Sequence, residues 1–480
     1  MKIRSLMWKT GCAVVIGVIC SVAPSSVQRS TAQYAPLPSP SISFSPSSSF
    51  TPTPPGPPIV FPTASPGVIC DRLTNTICGY TPPTPKGPSI GELDNKITRD
   101  VCAYAKCSSP SPVTLEYVQD AMQKSAQVTD SATALVYPNI FPDRIEILIV
   151  PSSGKEIRKV VPNVQSSEVT ETVQEFLNSL RDSSNEDYLP LAQKLYNWLI
   201  RPIDEDLQSE GIKTLIFVMD GPLRSIPISA LHDGNKFVVQ KYATATIPSM
   251  GLVNLQLRDR RRSSILVMGL TQAQQGFTAL PNVEVETNVI AAKILQGNLF
   301  LNQDFTIDNL KKQQSKNNYG IVHLATHAQF LSDNIDGAFI QFWNERLYLN
   351  NLRTLRLGEE PIEMLTLSAC ETAVGRNLGL SGMALVYKAK SVLASLWTVS
   401  DAGTTPLMLS FYGYYPTSKS KAIAIQQAQL DLLEGKVRIE SGQIKGVGNL
   451  PAIPLSQVTG NINLKHPYFW ASFVLVGNWL

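Results

Sequence analysis

The sequence predicts an α/β protein built on a doubly wound, mainly parallel sheet with helices on both faces. Three observations carry that prediction. Short apolar runs such as Thr214 to Asp220 and Ile265 to Gly269 end in small or polar residues, as buried parallel strands do where they meet their loops. Stretches of helical spacing separate these runs, among them Ser166 to Leu180, Tyr188 to Ile200 and Asp401 to Tyr414. The two kinds of segment alternate over most of the chain, which is the pattern of βαβ units.

At 480 residues the chain has room for two or three domains with a core each. Its start carries Lys2, Arg4 and Lys9, then an apolar stretch from Gly11 to Ala23, then Ser30-Thr31-Ala32. This is the layout of a secretory signal peptide over residues 1–32, and the apolar stretch is short for a membrane span. Export to the periplasm, the cell envelope or the exterior is therefore expected; an uncleaved leader would act as a membrane anchor. Setting aside Lys2, Arg4, Lys9 and Arg29 brings the formal net charge from +3 to about −1. No clustered cationic surface for nucleic acid or anionic lipid is expected, because those partners call for one. The cluster Arg258 to Arg262 reads as a solvated loop or helix end.

Residues 33–110 are expected to be a linker. From Pro36 to Pro88 they are mostly Pro, Ser and Thr with little charge, too poor in apolar surface to offset the entropy of ordering. An extended, polyproline-rich stalk follows, suited to tethering the chain at the cell envelope. Four cysteines, Cys70, Cys78, Cys102 and Cys107, cluster here, an even number suited to two disulfides whose pairing the spacing does not fix. Neither spacing is Cys-x-x-Cys, which argues against zinc. Cys370 stands apart from this set and is a candidate free thiol.

Residues 111–260 read as a first α/β lobe. Leu115 to Ala126 and Ser166 to Leu180 are helical in pattern; Ala134 to Tyr137, Ile145 to Val150 and Thr214 to Asp220 are strands. Asp220 and His232 lack a nearby cysteine and read as structural. Residues 261–480 read as a second lobe, with strands Ile265 to Gly269, Ile321 to His327, Met364 to Thr372 and Ser391 to Leu396. Val283 to Leu295, Phe305 to Gln313, Leu380 to Ala389 and Lys419 to Glu434 are its expected helices, besides Asp401 to Tyr414. Ala338 to Phe342 and Arg346 to Leu349 suggest a hairpin beside the site, and Tyr468 to Val476 is expected to close the sheet. The Gly- and Pro-rich stretch from Arg438 to Ser456 reads as a flexible loop open to cleavage.

Two of these strands end in reactive side chains, His327 and Cys370. In open α/β sheets functional groups gather at the carboxyl ends of strands. A thiol is a strong nucleophile only as thiolate, and a neighbouring imidazole can take its proton and stabilise the anion. His323 lies four residues before His327, about 13 Å away along a strand, too far for one metal ion to bridge. No His-Glu-x-x-His and no Gly-x-x-x-x-Gly-Lys occurs. The chemistry needs no metal or organic cofactor.

His323-Leu-Ala-Thr-His327, Leu367-Ser-Ala-Cys-Glu-Thr372, Ser395-Leu-Trp-Thr-Val-Ser-Asp401 and His466-Pro-Tyr-Phe-Trp-Ala471 together resemble the CHAT domain, a family of the caspase and separase clan of His/Cys peptidases. The resemblance runs from about Thr114 to Leu480. It implies a caspase-like catalytic lobe preceded by a pseudo-protease-like lobe, and a cysteine endopeptidase acting on protein or peptide substrates. Cys370 would be the nucleophile, His327 the base, and the backbone amides of Ala328 and Cys370 the oxyanion donors. Ala328 stands where the family usually has Gly, keeping the amide but disfavouring positive φ. Lys388 replaces another family Gly. Ser368, Trp397 and Asp401 are substrate-pocket candidates, with Asp401 able to receive a basic P1 residue or to cap its own helix. The competing reading is a pseudo-peptidase that keeps the fold as a binding or scaffold module.

Overall fold

The computed structural model describes residues 87–105, 107, 110–256, 263–317, 319–331, 334–348, 351, 361–369 and 389–480. The leader, the Pro-rich stalk, Cys70, Cys78, the cluster Arg258 to Arg262, Cys370 and the expected helix from Leu380 up to Lys388 lie outside the described residues.

The described helices are α1 (Ile90–Ala105), α2 (Leu115–Thr129), α3 (Ser166–Leu180), α4 (Tyr188–Leu199), α5 (Asp204–Ser209), α6 (Pro281–Val289), α7 (Ile307–Lys316), α8 (Asp401–Tyr414), α9 (Lys421–Leu433) and α10 (Pro467–Trp470). The strands from the first lobe are β1 (Thr133–Ile140), β2 (Arg144–Pro151), β3 (Ile157–Pro162), β4 (Thr214–Val218) and β5 (Ala243–Ile247). The second supplies β6 (Ile265–Gly269), β7 (Asn298–Leu301), β8 (Ile321–Ala325), β9 (Ala328–Leu331), β10 (Asn334–Phe342), β11 (Glu345–Tyr348), β12 (Met364–Ser368), β13 (Ser391–Ser395), β14 (Arg438–Glu440), β15 (Gln443–Lys445), β16 (Ile453–Pro454) and β17 (Phe473–Gly477).

Strands of both lobes join one eleven-stranded sheet, ordered β3-β2-β1-β4-β5-β17-β13-β12-β8-β6-β7. Seven of its ten pairings are parallel, so the sheet is mostly parallel as the sequence predicts. Helices flank it and enclose a continuous apolar core. β17 runs parallel to β5 but antiparallel to β13, so chain direction reverses between them. The carboxyl ends of β4 and β5 therefore lie on one edge of the sheet and those of β8, β12 and β13 on the opposite edge. Asp220, which follows β4, cannot share a site with His327, which follows β8. It instead accepts the Gly221 amide at 2.8 Å and pairs with Arg224 at 3.1 Å, a local structural role.

Side-chain caps explain several helix starts. Thr114, Thr306, Ser400 and Ser420 accept backbone amides at the amino ends of α2, α7, α8 and α9. At the amino ends of β12 and β13, Glu363 pairs with Lys421 at 2.7 Å and Lys390 at 3.1 Å, with Glu363 and Lys421 buried and Lys390 half-buried. Burial pulls the Glu363 carboxyl up, yet Lys421 and then Lys390 outweigh it and hold it below the usual range.

The structure departs from the sequence expectations in four places. The end of the expected linker contains α1, whose Ile90, Leu93, Ile97 and Val101 are buried. Its Asp94 is also buried; it accepts the Tyr137 hydroxyl at 2.7 Å and the Met250 and Gly251 amides at 2.6 and 3.1 Å. A disulfide joins Cys102, in the last turns of that helix, to Cys107 just beyond it. The expected flexible loop from Arg438 to Ser456 is a small antiparallel sheet, β14-β15-β16, because Ile439, Ile444 and Ile453 are spaced to bury one face. The final stretch splits: His466 caps α10 through Nδ1, which accepts the Tyr468 amide at 3.0 Å, and the strand begins only at Phe473. That strand lies in the middle of the sheet and closes no edge. Finally, the helix begun at Pro281 changes to π geometry over Ile290–Ile294.

Candidate functional site

β8 and β12 are adjacent and parallel, with Ala325 level with Ser368. His327 is two residues beyond Ala325, and Cys370 is two residues beyond Ser368 along the sequence. The histidine's strand end is held from both sides. The Thr326 amide donates to the Ser368 carbonyl at 3.1 Å, its hydroxyl to the Gln341 carbonyl at 2.6 Å, and the Gln341 amide to the His327 carbonyl at 2.9 Å. The antiparallel sheet β11-β10-β9 thus grips the segment that carries the imidazole, and its β10–β11 hairpin is the one the sequence predicts.

His327 is 8% exposed. Its Nε2 lies 2.8 Å from the Thr278 carbonyl oxygen, so Nε2 carries the proton and donates, and Nδ1 of the neutral ring is an acceptor. Phe277 stacks on the ring, with centroids 4.7 Å apart and planes 20° from parallel. Burial pushes the His327 pKa down, and the bond to the Thr278 carbonyl only partly offsets that. A neutral imidazole is the form that can take a proton from a thiol.

Ala328 pairs with Ile340 in β9. The ladder bond joins Gln341 to His327, so Ala328 and Ile340 form a non-hydrogen-bonded pair whose amides point away from each other. The Ala328 amide is directed off the ladder. Ala328 has no positive φ, so alanine fits this strand without the strain that a left-handed glycine position would impose.

The other candidates sit as follows. Ser368 ends β12, is buried, and its carbonyl serves Thr326. Trp397 is fully buried, with its indole N–H on the Tyr468 carbonyl at 3.1 Å, which makes it core. This bond, the Leu396 amide on the Ser472 carbonyl at 2.7 Å, and the close approach of Gly403 to Phe469 pack the Trp397 and Trp470 motifs against each other. Asp401 does not cap its own helix; Ser400 does. Its Oδ2 accepts the Asn282 backbone amide at 2.8 Å and side-chain Nδ2 at 2.9 Å, so it caps α6 from across the fold. Burial pushes its carboxyl up, with the Asn282 bonds opposing.

His323 is a buried strand residue, bonded to Glu286 at 3.0 Å and to the Tyr412 hydroxyl at 3.1 Å. His232 accepts the Gly234 amide through Nδ1 at 3.1 Å, and His466 Nε2 donates to the distant Asn185 carbonyl at 3.0 Å. No group of three metal-ligating side chains occurs among the described residues. Phe277, Thr278 and Asn282 are the site residues that the sequence reading missed. The one available signal was Gln275-Gly276, a pair with positive φ at both residues that turns the chain between Gln274 and Phe277.

A chain of the Saccharomyces cerevisiae separase–securin complex is 12% identical with a TM-score of 0.46, over 76% of this chain and 31% of that one. A second structure of that complex gives 10% and 0.39 over the same shares. The Arg-specific cysteine proteinase gingipain R is 8% identical with a TM-score of 0.34, over 65% of this chain and 74% of that one. The chain thus spans about a third of the separase-complex chain that it matches. No curated protein matches the sequence. The CHAT domain matches residues 189–478, a span that takes in every strand from β4 to β17. The chain belongs to the CHAT domain family.

Proposed function

We propose that this protein is a cysteine endopeptidase of the CHAT type, with Cys370 as nucleophile and His327 as general base and then general acid. The observation that carries the reading is the tautomer of His327: Nε2–H is committed to Thr278, so Nδ1 is the atom offered to a thiol. The level register of β8 and β12, whose chains continue to His327 and Cys370, supports the same pairing.

In this reading Nδ1 takes the Cys370 proton and the thiolate sulfur bonds to the substrate carbonyl carbon. The resulting oxyanion meets the Ala328 and Cys370 amides. The imidazolium returns the proton to the leaving amine as the C–N bond breaks. Water, deprotonated by the same ring, then hydrolyses the thioester and restores the thiol. No metal or organic cofactor enters any step.

Export belongs to the same proposal. The Cys102–Cys107 disulfide fits an oxidising compartment, as does a leader followed by a Pro-rich stalk that would hold the enzyme at the cell envelope. The test is to treat the purified chain with an iodoacetamide-type probe and a peptide library, beside Cys370→Ala and His327→Ala. Cleavage and fast labelling abolished by both variants support the peptidase. Labelling at the rate of an ordinary thiol, with no cleavage, points to a binding module.

A further inference from the structure

We propose that Asn282 is a positioning residue for His327, acting through the segment that reaches back from α6 to Phe277 and Thr278. This rests on the reading of His327 as the base. Three elements meet on the Asn282 side chain, which is 3% exposed. Its Nδ2 donates to Asp401 Oδ2 at 2.9 Å and to the Ser456 carbonyl at 3.3 Å, and its Oδ1 accepts the Ser456 amide at 2.7 Å. Its backbone amide also donates to Asp401. Both side-chain polar atoms of a buried amide are therefore satisfied, which fixes its orientation.

The helix needs this outside help. Leu280 occupies the cap position of α6 and has no side-chain acceptor to offer, and Pro281 follows it. Asp401 supplies both the acceptor and a negative charge at the positive end of the helix. Only three residues, Ala279 to Pro281, lie between Thr278 and Asn282. Between them the Leu280 amide closes the loop on the Thr271 carbonyl at 3.1 Å. The carbonyl and the ring that orient His327 thus hang from a short loop with one end pinned at Asn282. Releasing that end frees the Thr278 carbonyl and lets water reach the imidazole.

The experiment is NMR of ring-15N-labelled histidine in the full chain, whose four histidines are assigned by single His→Gln variants. In wild type, His327 shows the Nε2–H tautomer and titrates below the ordinary value of about 6.5. In Asn282→Ala the backbone spectrum stays folded, while His327 becomes a mixture of tautomers and its titration moves up toward that ordinary value. His232, His323 and His466 stay as they were. Cys370 alkylation slows by on the order of tenfold to a hundredfold. If Asn282→Ala does not fold, Asp401→Asn is read instead. The exchange Asn282→Asp with Asp401→Asn, which keeps a donor facing an acceptor, recovers part of the wild-type tautomer. A folded Asn282→Ala with an unchanged His327 tautomer and titration overturns the proposal. A tautomer change in Asn282→Ala, with alkylation equal in wild type and His327→Ala, would leave the positioning intact and sink the peptidase reading instead.

Discussion

His327 donates its Nε2–H to the carbonyl oxygen of Thr278, 2.8 Å away, although the two residues are 49 positions apart in sequence. That bond makes one imidazole nitrogen a fixed donor and the other an acceptor. The stack of Phe277 on the same ring keeps water off it. A residue after β8 thereby acquires its protonation state from a loop after β6.

Phe277 is accordingly open to a direct test. Removing its ring in Phe277→Ala forfeits a stacked contact worth about 0.5–1.5 kcal/mol and partly hydrates His327. The expected outcome is a folded protein in which the His327 titration rises toward its ordinary value and Cys370 alkylation slows up to about tenfold. Ring NMR and alkylation kinetics check the two halves separately.

Acid sensitivity follows from three histidines. Burial pushes the pKa values of His232, His327 and His466 down in the fold. Between those depressed values and the unfolded value of about 6.5, the unfolded chain binds more protons than the folded one. Stability is therefore fully present above about pH 6.5 and is lost as pH falls below it. The melting temperature should drop between pH 7 and pH 5, and the drop should be smaller in His327→Gln. An equal drop in that variant would remove His327 from the account of it.

The Glu363 cluster predicts a stability effect remote from the chemistry. Glu363→Ala leaves the buried Lys421 ammonium without its carboxylate, at a cost of about 3–5 kcal/mol, while half-buried Lys390 keeps the Gln256 carbonyl. Because Glu363 lies at the amino ends of the strands, the rate of Cys370 alkylation in the folded fraction should not change. Chemical denaturation and alkylation kinetics on the same preparation measure both.

Much of the frame is legible in the sequence because its strands are unbroken apolar runs. Ile265 to Gly269 and Thr214 to Val218 need no partner to be read, since burial on both faces of a parallel sheet dictates their composition. What connects distant segments leaves little trace. The Thr278 carbonyl is a backbone group that any residue could supply, and Asp401 carries the signature of a cap without saying which helix it caps. The place of Phe473–Gly477 in the middle of the sheet is set by its pairing with β5 and β13, which no local pattern encodes. The helix Ile90–Ala105 escaped notice because it directly follows the Pro-rich stretch, and its apolar stripe, buried Asp94 and Thr98 tie it to the core through long-range contacts.

The Cys102–Cys107 bridge also yields a check on compartment. Peptide mapping of the native protein without reductant should find these two cysteines linked and Cys370 free to alkylate. Recovery of Cys102 and Cys107 as thiols would remove the support that the bridge lends to export.

The most direct test of the central claim is the rate of Cys370 alkylation from pH 5 to pH 9 in wild type and His327→Ala. A histidine base predicts a wild-type rate that levels off near neutral pH, falls only as His327 protonates, and exceeds the variant at pH 7. Two superimposable profiles, both rising toward an ordinary thiol pKa of about 8.5, would contradict it.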